Sequence, residues 1–217
     1  MTGGIERGAF PGGVVLVRHR GSVLLRVAYG SSLKYMSTTT LAPEPIPART
    51  ETIYDLASIS KLFTATCALR LVEDGKVGLD DAVARFLPEF GANGKEAITV
   101  RQVLTHTAGL PPYLKLWELE PTPAARLRRA LEVAPTDPPG TVYRYSDLGL
   151  IALGRLVEKV AGTVLDRAVA GMVTGPLQVM HLQYRPPAAL KPLIAPTEDE
   201  SAVGRGLVWG EVHDENA

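Results

Sequence analysis

Two apolar runs of strand length near the N-terminus constrain this chain more than any other feature. Gly12-Gly13 precedes Val14-Val15-Leu16-Val17, His19-Arg20-Gly21 has the composition of a turn, and Val23-Leu24-Leu25-Arg26-Val27-Ala28 follows. The pair predicts a β-hairpin, although its turn is not of the Asn-Gly type. A hairpin alone is barely stable in water and needs more strands or a helix against it. The next segment does not read as another strand. Residues 31–49 are polar, with Pro43, Pro45 and Pro47 two apart, and predict an exposed, extended loop.

Helical patterns dominate the middle of the chain. From Ser58 to Glu73, Leu62, Ala65, Leu69 and Val72 share one face, and Gly75 supplies a stop. Asp80-Asp81 can cap a short helix through Phe86. Thr99 caps another, with Val100, Val103 and Leu104 as its apolar face. Thr122-Pro123 opens a third with proline at its first position. Ser146 opens a longer one, with Leu150, Leu153, Val157 and Val160 in register and Gly162 past its end. Leu165 to Met172 is a last helical piece. After Pro186 the pattern becomes irregular, and there are no repeats.

Composition narrows the function classes. Twenty-three basic and 23 acidic residues balance in a chain of 217, which argues against a nucleic-acid binder with its basic stripe. The single cysteine, Cys67, excludes an internal disulfide and a zinc site built from several thiolates. Its apolar neighbours predict a core position. No apolar run of about 18 residues predicts a membrane span. Met1 to Phe10 carries Glu6 and Arg7 and lacks the apolar core of a signal peptide, so a cytoplasmic location is expected, with a periplasmic or extracellular one left open.

The chemistry concentrates in two places. Ser58-Ile59-Ser60-Lys61 is a Ser-x-x-Lys element at a predicted helix start. A serine hydroxyl is a weak nucleophile that needs a base, and a lysine three residues on shares its helix face. The helix N-terminus adds backbone N–H groups and a positive dipole end, which favour an oxyanion. Ser31-Ser32-Leu33-Lys34 matches the same four-residue pattern, but no helical periodicity follows it. The second place is Tyr143-Arg144-Tyr145-Ser146-Asp147, at a loop-to-helix junction after Pro138-Pro139-Gly140. A phenol there, close to an ammonium, is a usable proton shuttle.

Together, Asp55 through Lys61 and Tyr145-Ser146-Asp147 resemble the first two motifs of the serine β-lactamase and penicillin-binding-protein superfamily. Leu104-Thr105-His106-Thr107-Ala108-Gly109-Leu110-Pro111 is similar to the stretch that connects them. Phe10-Pro11-Gly12, Leu71 to Lys76, Gly140-Thr141 and Gly175-Pro176-Leu177 add further matching phrases, so the likeness runs along essentially the whole chain. Order and spacing resemble the class C β-lactamase branch, which includes family VIII carboxylesterases and DD-peptidase-like enzymes. The resemblance implies that Ser58 is acylated, that Lys61 takes or relays its proton, and that Tyr145 is a second proton handler. It implies a substrate-contacting role for Asp147, which stands where the family motif has asparagine. It also implies that His106 is structural, and it implies no cofactor and no metal. An aspartate at 147 can pair with Lys61, favour the ammonium and shift the proton work to Tyr145.

The superfamily's third motif, Lys-Thr-Gly or His-x-Gly on a late strand, has no counterpart in these residues. The fold the resemblance implies is α/β (α+β), an antiparallel sheet flanked by helices with an inserted helical domain. Its closing strands are expected to be missing, which would leave an open apolar sheet edge. Residues 1–78 are then expected to form the N-terminal part of the α/β domain, 79–185 the helical domain, and 186–217 an irregular lead into the absent part. A second chain or a missing C-terminal fragment is expected to complete the sheet. The function expected is a serine hydrolase acting through an acyl-enzyme on a β-lactam, ester or peptide carbonyl. The alternative is a non-catalytic or incomplete module that binds a ligand or partner without turnover. A metal hydrolase using His106 and His213 is the weakest reading, because His213-Asp214-Glu215 has no partner histidine at ligand spacing.

Overall fold

A computed structural model describes residues 1–179 and 181–216, and they fall into two compact units. One unit comprises residues 1–56 and 185–213. A short helix α1 (Thr2–Glu6) leads into strands β1 (Gly12–His19) and β2 (Ser22–Tyr35), which pair antiparallel. The two-residue turn is Arg20-Gly21, with φ of 46° and 85°. Positive φ at both positions is the type I′ geometry that suits the right-handed twist of a hairpin. Arginine therefore occupies a left-handed position that the Asn-Gly rule does not anticipate.

The proline-spaced segment is not a loop. Strand β2 runs on to Tyr35, and β3 (Leu41–Pro47) pairs with it antiparallel in a sheet of order β1-β2-β3. The N–H of Ala48, just past the strand, donates to Gly30 C=O at 2.9 Å. β3 is an edge strand of that sheet, the place where a strand tolerates proline. The far end of the hairpin is apolar and open, with Leu16, Val23 and Leu24 all more than half exposed. The late segment of this unit forms a small hairpin, β4 (Glu198–Asp199) against β5 (Leu207–Val208).

The other unit comprises the described part of 57–184 with 214–216. Its helices are α2 (Ser60–Glu73), α3 (Val100–Leu104), α4 (Leu116–Leu119), α5 (Pro123–Glu132), α6 (Asp147–Ala161) and α7 (Leu165–Val169). The caps are those the sequence predicts. Thr99 and Gln102 form a reciprocal capping box on α3, Thr122 Oγ1 accepts from the Ala125 N–H, and Gly162 ends α6 at a φ of 68°. The Asp80-Asp81 segment gives only a 3₁₀ turn over Val83–Arg85.

Helix α2 packs on α6, but not with the predicted face. Thr64, Cys67, Ala68 and Leu71 are buried, while Leu62 and Leu69 are 64% and 49% exposed. Both faces carry apolar residues at helical spacing, so periodicity alone does not choose between them. The buried face has the smaller side chains, and it meets the equally small Ala152 and Gly154 of α6. A Cβ on Gly154 would stand 3.8 Å from Thr64 Cγ2, which shows how near the helices run. Leu153, Leu156 and Val157 of α6, with Phe90 and Val103, complete the core. Among the described residues no helix is long and apolar enough to cross a membrane.

Candidate active site

The helical unit alone brings Ser58, Lys61, Tyr145, Asp147 and His106 together. Ser58 sits in a single 3₁₀ turn, Ala57–Ile59, that runs directly into α2. In such a turn residues three apart eclipse one another, so Lys61 stands over Ser58. The Lys61 ammonium donates to Ser58 Oγ at 2.8 Å. Ala57, just before the serine, is held at a φ of 44° in the left-handed region, a conformation that costs a non-glycine residue about 1 kcal/mol or more. The hydroxyl itself is exposed at the head of the helix.

Asp147 approaches from the first turn of α6. Its Oδ1 lies 2.9 Å from Lys61 Nζ, and the backbone N–H of Asp147 donates to Pro112 C=O. Oδ1 is enclosed and, among the described residues, accepts no aligned hydrogen bond. Its compensation is the ammonium charge, at hydrogen-bond distance but off the hydrogen-bond direction. Burial works against the charge on Lys61. The Tyr145 phenol and the Asp147 carboxylate beside it outweigh that burial and hold the ammonium above the usual lysine range. Lys61 is therefore a cation and a hydrogen-bond donor here, not a free base. Its nitrogen is also 5.2 Å from the centre of the Tyr145 ring.

Tyr145 owes its position to the turn before α6. Ser146 caps the helix, its Oγ accepting from the Gly149 N–H at 3.3 Å and donating to Pro111 C=O at 2.6 Å. The Ser146 N–H donates to His106 Nδ1 at 3.1 Å, which assigns the ring's proton, when neutral, to Nε2. The His106 ring lies against Tyr145 with centroids 4.6 Å apart. Burial, then the Lys61 charge, hold His106 below the usual imidazole range against the opposing pull of Asp147. His106 is thus a neutral ring packed against the tyrosine.

The loop behind His106 depends on one glycine. Gly109 has a φ of 74°, and a Cβ there would lie 2.1 Å from Asp137 C=O. Asp137 in turn pairs with Arg144 at 2.6 Å, beside the tyrosine.

Other candidates separate from this group. In the Ser31–Lys34 element the two residues lie on the extended backbone of strand β2, and Lys34 Nζ stands 5.3 Å from the centre of the Tyr35 ring. Cys67 is fully buried, and burial pushes its thiol up, as befits a core residue. His213 meets Glu198 at 2.9 Å and Glu200 at 3.4 Å. Ligand atoms of these three lie within 4.8 Å of one another, but Arg205 already holds Glu200 at 2.7 Å, so the group is an ion-pair cluster. Sequence reasoning overlooked Tyr113. Partial burial and the negative charges of Glu215, Asp214, Asp147 and Glu118 push its phenol up to about 12.

A small antiparallel sheet, a helical unit, and a serine-lysine pair at the head of a helix match a β-lactamase/transpeptidase-like fold. The chain belongs to the Beta-lactamase family, whose model matches residues 1–217. It is 33% identical over 234 residues to an N-acetylmuramyl-L-alanine amidase of Bacillus subtilis (strain 168), covering 96% of this chain and 53% of that one. Among solved structures it is similar to EstCE1, a hydrolase with promiscuous acyltransferase activity, at 30% identity and a TM-score of 0.74, covering 90% of this chain and 54% of that one. A class C β-lactamase in complex with cefoxitin matches at 25% identity and a TM-score of 0.78, covering 92% of this chain and 53% of that one. The chain spans about half the length of the curated relatives it matches.

Proposed function

We propose that this protein is a serine hydrolase working through an acyl-enzyme on Ser58, with an ester, β-lactam or amide carbonyl as substrate. The observation that carries this is the Lys61 ammonium set between Ser58 Oγ and Asp147 with Tyr145 beside it. The lysine stabilises the negative charge that develops on the serine oxygen. Because Asp147 keeps that ammonium charged, the proton is handled by Tyr145. Ser58 Oγ bonds to the acyl carbon and its proton passes to the Tyr145 oxygen. The phenol's own proton passes to the leaving atom as the scissile bond breaks. Water then enters by the same relay in reverse and frees the acid. Backbone N–H groups at the start of α2 are the donors this chain offers to the carbonyl oxygen.

The charged state of Lys61 also favours a second reading, a module that binds a ligand without turnover. Intact-mass spectrometry separates the two. Incubation with an activated ester or a fluorescent penicillin is expected to add one acyl group, absent in Ser58→Ala. A wild-type mass unchanged by both reagents would leave the binding module as the reading.

A further inference from the structure

Resting on the hydrolase reading above, we propose that Asp137 and Arg144 are positioning residues for the acylation step, because their ion pair sets the place of Tyr145. Arg144 Nε donates to Asp137 Oδ2 at 2.6 Å, and a second guanidinium nitrogen donates to Oδ1 at 3.3 Å. This is a two-pronged contact between charged groups, which fixes geometry as well as distance. It closes the turn built on Pro138-Pro139-Gly140, and Tyr145 is the first residue beyond it. Both neighbours of Tyr145 are bound to one residue. The Arg144 N–H donates to His106 C=O at 2.8 Å, and the Ser146 N–H donates to His106 Nδ1 at 3.1 Å. His106 thus holds the tyrosine from both flanks, besides lying against its ring.

His106 needs support to keep that post. Its φ is 56°, in the left-handed region, which neighbouring bonds must impose on a non-glycine residue. The N–H groups of Thr136 and Asp137 both donate to Gly109 C=O, at 2.8 Å and 3.2 Å, and the Gly140 N–H donates to Thr107 C=O at 2.7 Å. Asp137 is therefore tied by its backbone to the loop that carries His106, and by its carboxylate to the residue before Tyr145. Ser58 and Lys61 belong to a different segment, so the pair acts on the reacting atoms through the tyrosine. The hydrogen bond and charge of Arg144 hold the Asp137 carboxyl below the usual carboxylate range, so the contact persists at neutral pH. The two side chains are 39% and 19% exposed, and partly solvated ion pairs add little to stability. The effect falls on geometry instead. A proton relay needs the phenol oxygen within hydrogen-bond reach of Ser58 Oγ, and a displacement of about 1 Å is enough to slow it.

Combining each substitution with Tyr145→Phe separates positioning from general damage. Acylation by 4-nitrophenyl butyrate is followed by nitrophenolate release and adduct mass, each rate taken relative to hydrolysis in buffer. Asp137→Ala is expected to slow acylation of the otherwise wild-type protein about tenfold to a hundredfold, with the half-saturating ester concentration within about twofold. In the Tyr145→Phe background the same change is expected to cost less than about twofold, because no phenol is left to misplace. Arg144→Lys, which keeps the charge and loses the two-pronged contact, should fall between wild type and Asp137→Ala. Asp80→Asn breaks a similarly forked pair with Arg101 of α3, at 2.8 Å and 3.0 Å, and should leave the rate unchanged. Should Asp137→Ala fail to fold by circular dichroism, Arg144→Lys in the two backgrounds makes the same comparison. Equal slowing in both backgrounds would overturn the positioning role and leave the hydrolase reading standing. So would an unchanged rate in folded Asp137→Ala. Loss of the fold in both variants would show a pair that holds the whole helical unit, and would overturn the role too. Failure of wild type to acylate at all would overturn the hydrolase reading, and this inference with it.

Discussion

The chain carries the same four-residue pattern twice, and the two copies have opposite fates. Ser31 and Lys34 lie on strand β2, where three residues span about 10 Å of extended chain. Ser58 and Lys61 lie at a 3₁₀-to-α transition, where residues three apart stack and Nζ reaches Oγ at 2.8 Å. Identical residue types at identical spacing thus yield a reactive pair in one backbone and none in the other. A sequence motif has chemical meaning only with the period of the element that bears it.

The largest expected effect tests this contrast directly. Ser58→Ala should abolish the acyl adduct, whereas Ser31→Ala should leave the acylation rate unchanged, both read by intact mass. An adduct that survives in Ser58→Ala would erase the distinction between the two elements. Next comes the relay that the helix-borne copy alone possesses. Tyr145→Phe should slow acylation by about 10²- to 10⁴-fold, measured by nitrophenolate burst, with the thermal midpoint nearly unchanged.

A smaller effect concerns what holds that relay. Ser146→Ala removes an N-cap and a bond to Pro111, and should cost about 1–2 kcal/mol in a denaturant titration. The smallest concerns the strand-borne side, where the bonds that follow β2 serve structure. Asp199 accepts from the Thr38 N–H at 2.7 Å and from its hydroxyl at 2.9 Å. The Ser201 hydroxyl, with these Thr38 bonds, draws Asp199 down to about 2 from an ordinary 3.8. A carboxyl depressed in the folded state stabilises fully above its unfolded value and loses that contribution as pH falls through the folded one. Melting midpoints should therefore fall between pH 4 and 2 more in wild type than in Asp199→Asn. A parallel fall in both would show that these bonds do not hold the segment.

Much of this was legible from residue order. The hairpin, the caps at Thr99, Thr122 and Ser146, and the stop at Gly162 follow from rules that act within a few residues. So does the approach of Lys61 to Ser58. The third strand was hidden because alternating prolines signal a loop, unless the strand is known to lie at an edge. The buried face of α2 was misread because Leu62 and Leu69 carry the larger apolar groups, yet α6 approaches the side of Thr64, Cys67 and Ala68.

By itself, the amino-acid sequence determined the N-terminal hairpin, the caps of the helices at Thr99, Thr122 and Ser146, and a serine-lysine pair on one face of a turn. These depend on backbone periods and capping bonds between near neighbours. Only the tertiary structure decided that Lys61 is held as a cation, that Tyr145 is braced by His106, and that carboxylates from α6 and the late segment surround the site. Those properties arise where separate elements meet, and Coulomb and desolvation energies depend on distances that no local pattern encodes.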